Sequence, residues 1–413
     1  MMKRIAIIGG GISGLAVLHY LHQRFGNNVQ ITLYEREALV GGTIRTFKKD
    51  SCLFEWGPNG FLNNQPATLE LIEELGLSDQ IVTAQAASSQ RFIQIDDHLQ
   101  SIPTDPVSFI KTPLLSSKDK RTLIKGLFKK NISKDTSIYD YVCRRFSASI
   151  ADTLVDPFIS GIYAGDIKRL HMAAAFPKLK RKGAQRSRLC SFKGGMGQII
   201  EVLYNRYKNL IRTNAEINSI PNDADITIVS TSAYVASAIV MNSNPVLADI
   251  LLQIPYAPVA VVGLLFKKDS FKRKPTGFGY LIPSRENKNI LGVLLESNVY
   301  AARSAEDQVM VRILSGGMHH PDIVNEPQER ILVEAVKEID HVYGLTANPI
   351  ETFVKLWPRA IPQYEINYPH LRATIAEQCA KTAGLYLCAN YLDGISFNDC
   401  ICNAKSLAGE LRV

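Results

Sequence analysis

The stretch IAIIGGGISGLAVLHYLHQRF, residues 5–25, decides the fold. Its four leading apolar residues predict a buried β-strand, and the run from Leu15 to Phe25 has the apolar pattern of a helix. The stretch VQITLY, residues 29–34, predicts a second strand that ends before Glu35. A glycine-rich turn between a strand and a helix, followed by another strand, is typical of a βαβ unit. The sequence therefore predicts an α/β protein with a Rossmann-like nucleotide-binding domain.

The glycine spacing in this turn predicts a dinucleotide site. In such a turn Gly9 allows the tight bend, Gly11 lets the backbone approach a pyrophosphate, and Gly14 lets the helix pack on the strand. The first amides of the helix offer free N–H groups and partial positive charge to the phosphates. Glu35, 21 residues after Gly14, is placed to accept hydrogen bonds from ribose hydroxyls. Its neighbour Arg36 leaves a ribose phosphate, as in NADP, open as an alternative. The expected contacts of this part are Gly9, Gly10, Gly11, Ile12, Ser13, Gly14, Glu35 and Arg36.

Three further segments favour FAD over a nicotinamide cofactor. LVGGTIRT at residues 39–46 brings glycines and a basic side chain close to the diphosphate. FEWGPNG at residues 54–60 is a second glycine-proline turn. Residues 390–400 open the last helix, whose first amides are placed to face the pyrimidine edge of a flavin and to stabilise negative charge on the reduced ring. The additional predicted cofactor contacts are Gly42, Thr43, Gly57, Pro58, Asn59, Gly60, Ile217, Trp357, Ile395, Ser396 and Phe397.

Composition excludes several classes of protein. The chain has 413 residues, of which 46% are hydrophobic and 21% charged, as in folded globular proteins. No apolar run approaches the ~18 to 20 residues of a spanning helix. The opening Met1–Arg4, directly before a strand, predicts no signal peptide. Seven cysteines without a C-x-x-C spacing predict a reducing compartment, the cytoplasm, and the histidine and cysteine spacing predicts no metal site.

Positive charge is concentrated in two segments of a chain whose net charge is +8. Residues 118–134 hold seven lysines and arginines, and residues 178–188 hold six more. In the first segment Leu123, Ile124, Leu127 and Phe128 alternate with the basic residues at helical spacing. This pattern predicts contact with an anionic membrane surface, with an ordinary solvated face as the alternative. Nucleic acid is not expected, because no nucleic-acid-binding motif accompanies the charge.

The order of predicted elements divides the nucleotide-binding domain into three segments. Strands are predicted at 216–220 and 226–230, followed by a strand-rich region from 259 to 315 and a closing strand and helix. An inserted mixed-sheet domain and a helical segment complete the expected architecture. The predicted boundaries are 1–87, 191–240 and 357–413 for the FAD-binding domain, 88–190 for a mainly helical substrate and membrane-contact region, and 241–356 for the substrate-binding sheet.

Several motifs resemble those of the protoporphyrinogen oxidase family within the FAD-dependent amine oxidase superfamily. The glycine turns are common to the superfamily, whereas three other motifs are more specific to porphyrinogen oxidases. These motifs are PFISGIYAGD (157–166), AAAFPKL (173–179) and PQY (362–364). Further matching segments are SFKGGMGQ (191–198), GFGYLIP (277–283) and ANYLDGISFNDC (389–400). The resemblance spans residues 3 to about 410.

The resemblance implies noncovalent FAD and a porphyrinogen substrate. A porphyrinogen loses six electrons in steps, and each hydride passes from a meso carbon to flavin N5, so no catalytic side chain is expected. By resemblance Arg91 pairs with a substrate propionate, Leu281 and Leu314 sandwich the macrocycle, and Gly161 leaves room beside the flavin. An arginine at position 91 favours protoporphyrinogen over coproporphyrinogen. The alternatives are coproporphyrinogen oxidation, a flavin amine oxidase and a non-enzymatic flavin-binding scaffold.

The sequence leaves both oxygen and a quinone open as the electron acceptor. The cysteines predict a cytoplasmic protein, and the basic segment at residues 118–134 predicts peripheral attachment to the inner face of the membrane.

Overall fold

The computed structural model describes residues 2–50, 52–129, 132–176 and 187–412. Lys130, most of the second basic segment and the end of the AAAFPKL motif lie outside the described residues. The strands are β1 Lys3–Ile8, β2 Val29–Tyr34, β3 Thr46–Lys49, β4 Cys52–Glu55, β5 Phe61–Leu62, β6 Ile81–Thr83, β7 Arg91–Ile95, β8 His98–Ser101, β9 Leu189–Phe192, β10 Ile211–Arg212, β11 Ile226–Val229, β12 Tyr256–Lys267, β13 Gly279–Leu281, β14 Ile290–Leu294, β15 Gln308–Gly316, β16 Glu351–Pro362 and β17 Leu385–Leu387. The helices are α1 Ile12–Phe25, α2 Pro66–Glu74, α3 Pro106–Lys111, α4 Ser117–Phe128, α5 Ile138–Arg145, α6 Ala148–Ile150, α7 Asp156–Tyr163, α8 Met172–Ala175, α9 Gly197–Tyr207, α10 Ala233–Val240, α11 Pro245–Leu252, α12 Glu296–Val299, α13 Gln328–Tyr343, α14 Tyr368–Ala380 and α15 Phe397–Glu410.

A five-stranded parallel sheet carries the glycine-rich turn. Its strand order is β10-β2-β1-β11-β17, with β1 at the centre between β2 and β11. Helices α1, α2, α9 and α15 pack on one face, and α10, α11 and α14 pack on the other. Because both faces are covered, the central strands are continuously apolar, as in Ile5–Ile8. The predicted α/β fold class with a Rossmann-like domain is confirmed.

A seven-stranded mixed sheet forms the second layer. Its order is β16-β12-β15-β14-β13-β7-β8, and its neighbouring strands are antiparallel except for the parallel pair β13 and β7. Helix α13 covers one face with Ile331, Ala335 and Ile339. The other face turns toward α7. Apolar side chains cover this second face as well, and a cavity opens between the sheet and α7.

Three segments differ from the sequence prediction. Residues 216–220 form no strand, because the preceding residues bind the end of β2 instead: Ala215 N donates to Glu35 O at 2.9 Å, and Asn214 is left-handed with φ 53°. Strand β10 takes the edge of the sheet in their place. The region 88–190, predicted to be mainly helical, begins with the hairpin β7–β8, which joins the seven-stranded sheet. The expected boundary at 356 falls inside the continuous strand β16.

Candidate active site

The glycine-rich turn has the geometry that its sequence predicts. Gly9 adopts φ 108°, which favours glycine, and its N–H donates to Tyr34 O at 2.8 Å. A Cβ on Gly14 would stand 2.0 Å from Gly9 O, so only glycine allows this approach of helix to turn. A Cβ on Gly11 would meet no atom within 4 Å. Gly11 is also the N-cap of α1, where no side chain accepts the first helical N–H groups. Open space beside uncapped amides suits a phosphate.

The carboxylate of Glu35 lies against this turn. Its Oε2 accepts from Gly10 N at 2.7 Å, and its Oε1 accepts from Glu37 N at 2.9 Å. The acid that the spacing predicted is therefore beside the glycines, at the end of β2. Arg36 is exposed and donates to Glu37 Oε1 from its Nε at 3.2 Å. No contact joins Arg36 to the described part of the glycine turn.

The second glycine turn, at residues 39–46, and the third, at residues 54–60, both contact the first turn or each other. Gly41 N donates to Gly10 O at 2.8 Å, and a Cβ on Gly42 would lie 3.5 Å from Gly11 Cα. On the other side of this segment, a Cβ on Gly57 would stand 2.2 Å from Thr43 O. The structure thus brings residues 9–14, 41–43 and 57 together, although they are far apart along the chain.

The turn at residues 57–60 is held from several directions. Trp357 Nε1 donates to Trp56 O at 2.8 Å, which places the predicted Trp357 beside this turn. Gly60 packs closely, since a Cβ there would stand 2.2 Å from Tyr300 Oη. Arg312 Nη2 donates to Gly57 O.

The last helix begins where the sequence predicted, with Ser396 as its N-cap. Ser396 Oγ accepts from Asp399 N at 3.1 Å, and the Asp399 side chain closes a capping box. One of the amides expected to face a flavin is therefore already bound. Phe397 packs on Phe61, with ring centroids 5.5 Å apart, and Ile395 packs against the helical core around α5–α8.

Ile217 lies close to Glu35 along the chain, two residues after Ala215, whose N–H donates to Glu35 O at 2.9 Å. Its side chain is partly buried against the apolar cluster of α10, α11 and α14. The cofactor contact expected of Ile217 stays a prediction.

Buried polar atoms around the turns test whether a cofactor fits. Within the described residues, several have no hydrogen-bond partner in the structure. These atoms are Arg45 Nε, Trp56 Nε1, Asn59 Nδ2 and Ser230 Oγ. Unpaired buried polar atoms are rare in folded proteins and call for a ligand or water. Together with the open side of Gly11, they fit a dinucleotide that runs from the first turn to the third.

The three predicted ring-contact residues Gly161, Leu281 and Leu314 line one cavity. The empty space along these side chains is about 320 Å³, a part of which is open to solvent. The strand register explains the shape, because Leu281 pairs with Gly292 and Gly292 pairs with Leu314. The Leu281 side chain packs over Gly292 and against Gly161 of α7, since a Cβ on Gly292 would stand 2.9 Å and a Cβ on Gly161 would stand 2.8 Å from Leu281 Cδ2.

Sequence reasoning missed four residues that also line this cavity: Leu291, Gly292, Leu294 and Arg312. Alternation along β14 and β15 would have found most of them, because residues i and i+2 of a strand share one face. Arg312 is buried, and burial lowers the pKa of its guanidinium, while the Glu296 carboxylate raises it. Arginine titrates so far above neutrality that the group stays charged.

Arg91 does not line the cavity. It begins β7, is exposed, and holds its guanidinium 4.7 Å from the centroid of the Phe278 ring. Its strand partner is Gly279, whose next partner Leu294 does line the cavity. Arg91 therefore lies on the same row of the sheet, about 10 Å from Leu294 across two strand spacings.

No cluster of three or more histidine, cysteine or acidic side chains suitable for a metal is found among the described residues. No described helix has the length and apolar character needed to cross a membrane.

Similar proteins share this architecture over the whole chain. Protoporphyrinogen oxidase of Dictyostelium discoideum is 25% identical over 538 residues, covering 100% of this chain and 99% of that protein. Coproporphyrinogen III oxidase of Bacillus subtilis (strain 168) is 25% identical over 462 residues, with 99% and 97% covered. The crystal structure of a protein from Exiguobacterium sp. 255-15 aligns with a TM-score of 0.85 and 23% identity, covering 99% of this chain and 98% of that one. Residues 12–411 match the family of flavin containing amine oxidoreductases, and the chain therefore belongs to that family as a flavin-dependent oxidoreductase.

Proposed function

We propose that this chain binds FAD noncovalently and oxidises protoporphyrinogen to protoporphyrin. The observation that carries the proposal is the contact between the two candidate sites. The cavity lined by Gly161, Leu281 and Leu314 is joined to the third glycine turn through Arg312, which donates to Gly57 O. Relatives that cover nearly the whole chain are named for porphyrinogen oxidation.

The chain's own residues hold and orient the two reactants. Uncapped amides of α1 and the open side of Gly11 receive the phosphates, and Glu35 is placed for the adenosine ribose. A flavin held by these residues would supply the two-electron redox chemistry that oxidises the porphyrinogen. The mostly apolar cavity between the sheet and α7, with Leu281 and Leu314 in its wall, is the place we assign to the flat apolar macrocycle. Among the described residues that line the cavity, none is an acid, a histidine or a nucleophile, in agreement with chemistry that belongs to the cofactor.

The state of the cysteines supports a noncovalent cofactor. Cys400 lies four residues into α15 and is buried, and burial raises the pKa of its thiol to about 11. Burial raises the pKa of Cys388 to about 12. Thiols that stay protonated at neutral pH are poor nucleophiles. Acid precipitation should release FAD into the supernatant, and yellow colour retained in the washed pellet would refute noncovalent binding.

Coproporphyrinogen is the second candidate substrate, and two basic side chains favour it. Lys355 Nζ lies 4.5 Å from the Trp56 ring and 4.7 Å from the Trp357 ring. Arg359, four residues along β16, stacks over Tyr234 at 4.6 Å. Neither forms an ion pair with a described carboxylate, and Lys355 lies on the same row of the sheet as Leu314 of the cavity, since both pair with Val261.

We also propose that helices α3 and α4 rest on an anionic membrane surface. Large apolar side chains are exposed on both helices: Val107, Ile110, Ile124, Leu127 and Phe128. Lys118, Arg121 and Lys125 are exposed on α4 as well. Exposed apolar residues bordered by lysines are typical of an interfacial helix. Attachment through these helices would let a poorly soluble porphyrin pass along the inner face of a membrane. We propose oxygen or a quinone as the electron acceptor.

Anaerobic mixing tests the proposed function. The purified yellow protein should lose its flavin absorption when protoporphyrinogen is added without oxygen, and the absorption should return on admission of air. A protein that keeps its full flavin absorption with either porphyrinogen would instead be a flavin-binding scaffold.

A further inference from the structure

Arg312 is the only charged residue among the described residues that line the cavity. It lies on β15 two residues before Leu314, so both side chains leave the same face of the sheet. Only 8% of its surface is exposed. A guanidinium is seldom buried beside an apolar cavity unless its surroundings use the charge or its donors.

The contacts of Arg312 connect the cavity wall with the third glycine turn. Its Nη2 donates to Gly57 O, and its Nη1 lies 3.9 Å from Glu296 Oε1. Glu296 begins α12, directly after β14, and is 1% exposed. The guanidinium thus spans from the sheet that forms the cavity to a backbone carbonyl of the turn.

A second buried arginine holds the other end of the same turn. Arg303 Nη2 donates to Asn59 O at 3.5 Å and to Ser191 Oγ at 2.6 Å, and its Nη1 pairs with Glu55 at 3.0 Å. Arg303 has a close carboxylate partner in Glu55, although its Nε, like that of Arg312, is buried without a hydrogen-bond partner, and Arg303 is absent from the cavity wall. The two arginines therefore share the turn, but only Arg312 also faces the cavity.

The hydrogen bonding between Arg312 and Glu296 is too incomplete for this pair to serve stability alone. Arg312 Nε and both carboxylate oxygens of Glu296 are buried without a hydrogen-bond partner in the structure. Replacing both partners of a buried ion pair by apolar residues of similar size is often neutral for stability, whereas removing one partner alone is destabilising. Arg312 nevertheless donates to Gly57 O in the third glycine turn. This contact indicates that the position of the turn depends on Arg312.

We propose that Arg312 is a positioning residue that fixes the turn at residues 57–59 against the cavity wall, and so sets the place of the bound flavin relative to the substrate. This inference rests on the proposed function. Arg312 would act on the reaction through Gly57 and would not take part in the transfer of hydride or electrons.

Two substitutions with a matched control test the proposal. Arg312→Met keeps the apolar stem and removes the charge and donors, whereas Arg312→Lys keeps the charge and loses the planar fork. Arg330→Met makes the same chemical change on the exposed face of α13, where Arg330 pairs with Glu326 and Glu334. The readouts are kcat and KM for protoporphyrinogen, the visible circular dichroism of bound FAD without substrate, the Kd for FAD, and Tm.

We expect kcat of Arg312→Met to fall by about tenfold to a hundredfold, the loss that follows from a misplaced reacting centre, while KM changes far less. The visible circular dichroism of FAD should change, and Arg312→Lys should recover part of kcat and of the spectrum. Arg312→Met leaves the Glu296 carboxylate buried without its partner, so its Tm should fall, whereas the Tm of Arg312→Lys should stay within about 4 °C of wild type. Arg330→Met should match wild type in every readout.

Two results would overturn the proposal. One is wild-type kcat with an unchanged flavin spectrum in Arg312→Met. The other is a general loss of folding, in which Tm, FAD affinity and activity fall together in both Arg312 variants. If wild type itself oxidises no porphyrinogen, the proposed function fails, whereas the flavin spectrum of Arg312→Met still decides whether Arg312 positions the flavin.

Discussion

Gly11 and Gly14 lie one helical turn apart, yet a side chain would meet opposite surroundings at the two positions. At Gly14 it would collide with Gly9 O, whereas at Gly11 it would enter open space. A substitution at Gly14 therefore disturbs the packing of α1 on the turn. A substitution at Gly11 disturbs only what occupies that space, which we assign to the pyrophosphate.

Gly11→Val should abolish FAD retention while the protein stays folded, because a β-branched side chain fills the phosphate's approach path. Gly409→Val is the matched control, since a Cβ at Gly409 also meets no atom within 4 Å. FAD content after desalting and far-ultraviolet circular dichroism are the measurements. Stoichiometric FAD in Gly11→Val would contradict the assignment of this turn.

Arg91→Ala should raise KM for protoporphyrinogen by about tenfold to a hundredfold, from a charged hydrogen bond of roughly 1.5–3 kcal/mol. The flavin should bind unchanged, because Arg91 contacts Phe278 and none of the glycine turns. Arg91→Lys should restore only part of the affinity, since an ammonium lacks the paired donors. Steady-state kinetics measure the effect, with the surface variant Arg330→Ala as the control. An unchanged KM in Arg91→Ala would remove the propionate role.

Helix α4 shows what a local sequence pattern can and cannot predict about a single helix. The interleaved charge and apolar residues predicted a helix, which the structure has at Ser117–Phe128. The predicted apolar face is only partly exposed, because Leu123 packs into the helical core while Phe128 is 77% exposed. Periodicity identifies an amphipathic helix, but which side chains face the rest of the protein depends on contacts distant in sequence.

The double variant Ile110→Ser and Phe128→Ser should weaken binding to vesicles that contain anionic lipid. Wild-type binding should also decrease with salt, since each lysine near such a surface contributes roughly 1 kcal/mol. Val333→Ser, an exposed apolar residue on α13, is the control. Co-sedimentation of wild type that depends on neither anionic lipid nor salt would show that this face is only solvated.

The contact of α1, α2 and α9 predicts a pH dependence of stability. His19 is fully buried, with Nε2 2.7 Å from Glu74 Oε2 and Nδ1 2.9 Å from Tyr207 Oη. Burial lowers the pKa of His19 from its ordinary 6.5, although Glu74 raises it. As the pH falls below about 6.5, His19 is therefore protonated in the unfolded chain before it is protonated in the folded protein. Acid favours unfolding for this reason.

We expect the free energy of unfolding to decrease as the pH falls below about 6.5, and His19→Gln to flatten this part of the profile. Urea unfolding at a series of pH values measures it. His98→Gln, at an exposed position on β8, should keep the wild-type slope. A wild-type slope in His19→Gln would exclude His19 as its source.

At the scale of the whole molecule, the glycine turns were predictable and the link between them was not. Each turn has a local signature of glycine, joined by proline in the third, and the strand after the first turn ends at the acid, so residues 9–14 and Glu35 follow from short stretches. The bond from Arg312 to Gly57 joins residues 255 apart in sequence. It exists because the seven-stranded sheet places β15 behind the third turn, and no local pattern specifies that pairing.

The cavity shows the same limit. The resemblance to a family supplied Gly161, Leu281 and Leu314, which the structure brings together. The position of Gly292 beneath the Leu281 side chain depends on the register of β14 against β13 and β15. The region 216–220 was wrongly predicted as a strand because its apolar residues pack as a loop against α10, α11 and α14.

The most direct test is anaerobic flavin reduction followed by steady-state turnover, with protoporphyrinogen and coproporphyrinogen compared on the same wild-type preparation. We predict that protoporphyrinogen bleaches the flavin and is turned over with the higher kcat/KM, with protoporphyrin formed in air. A higher kcat/KM for coproporphyrinogen would contradict the substrate assignment and favour the second candidate. A flavin that neither porphyrinogen reduces would contradict porphyrinogen oxidation itself.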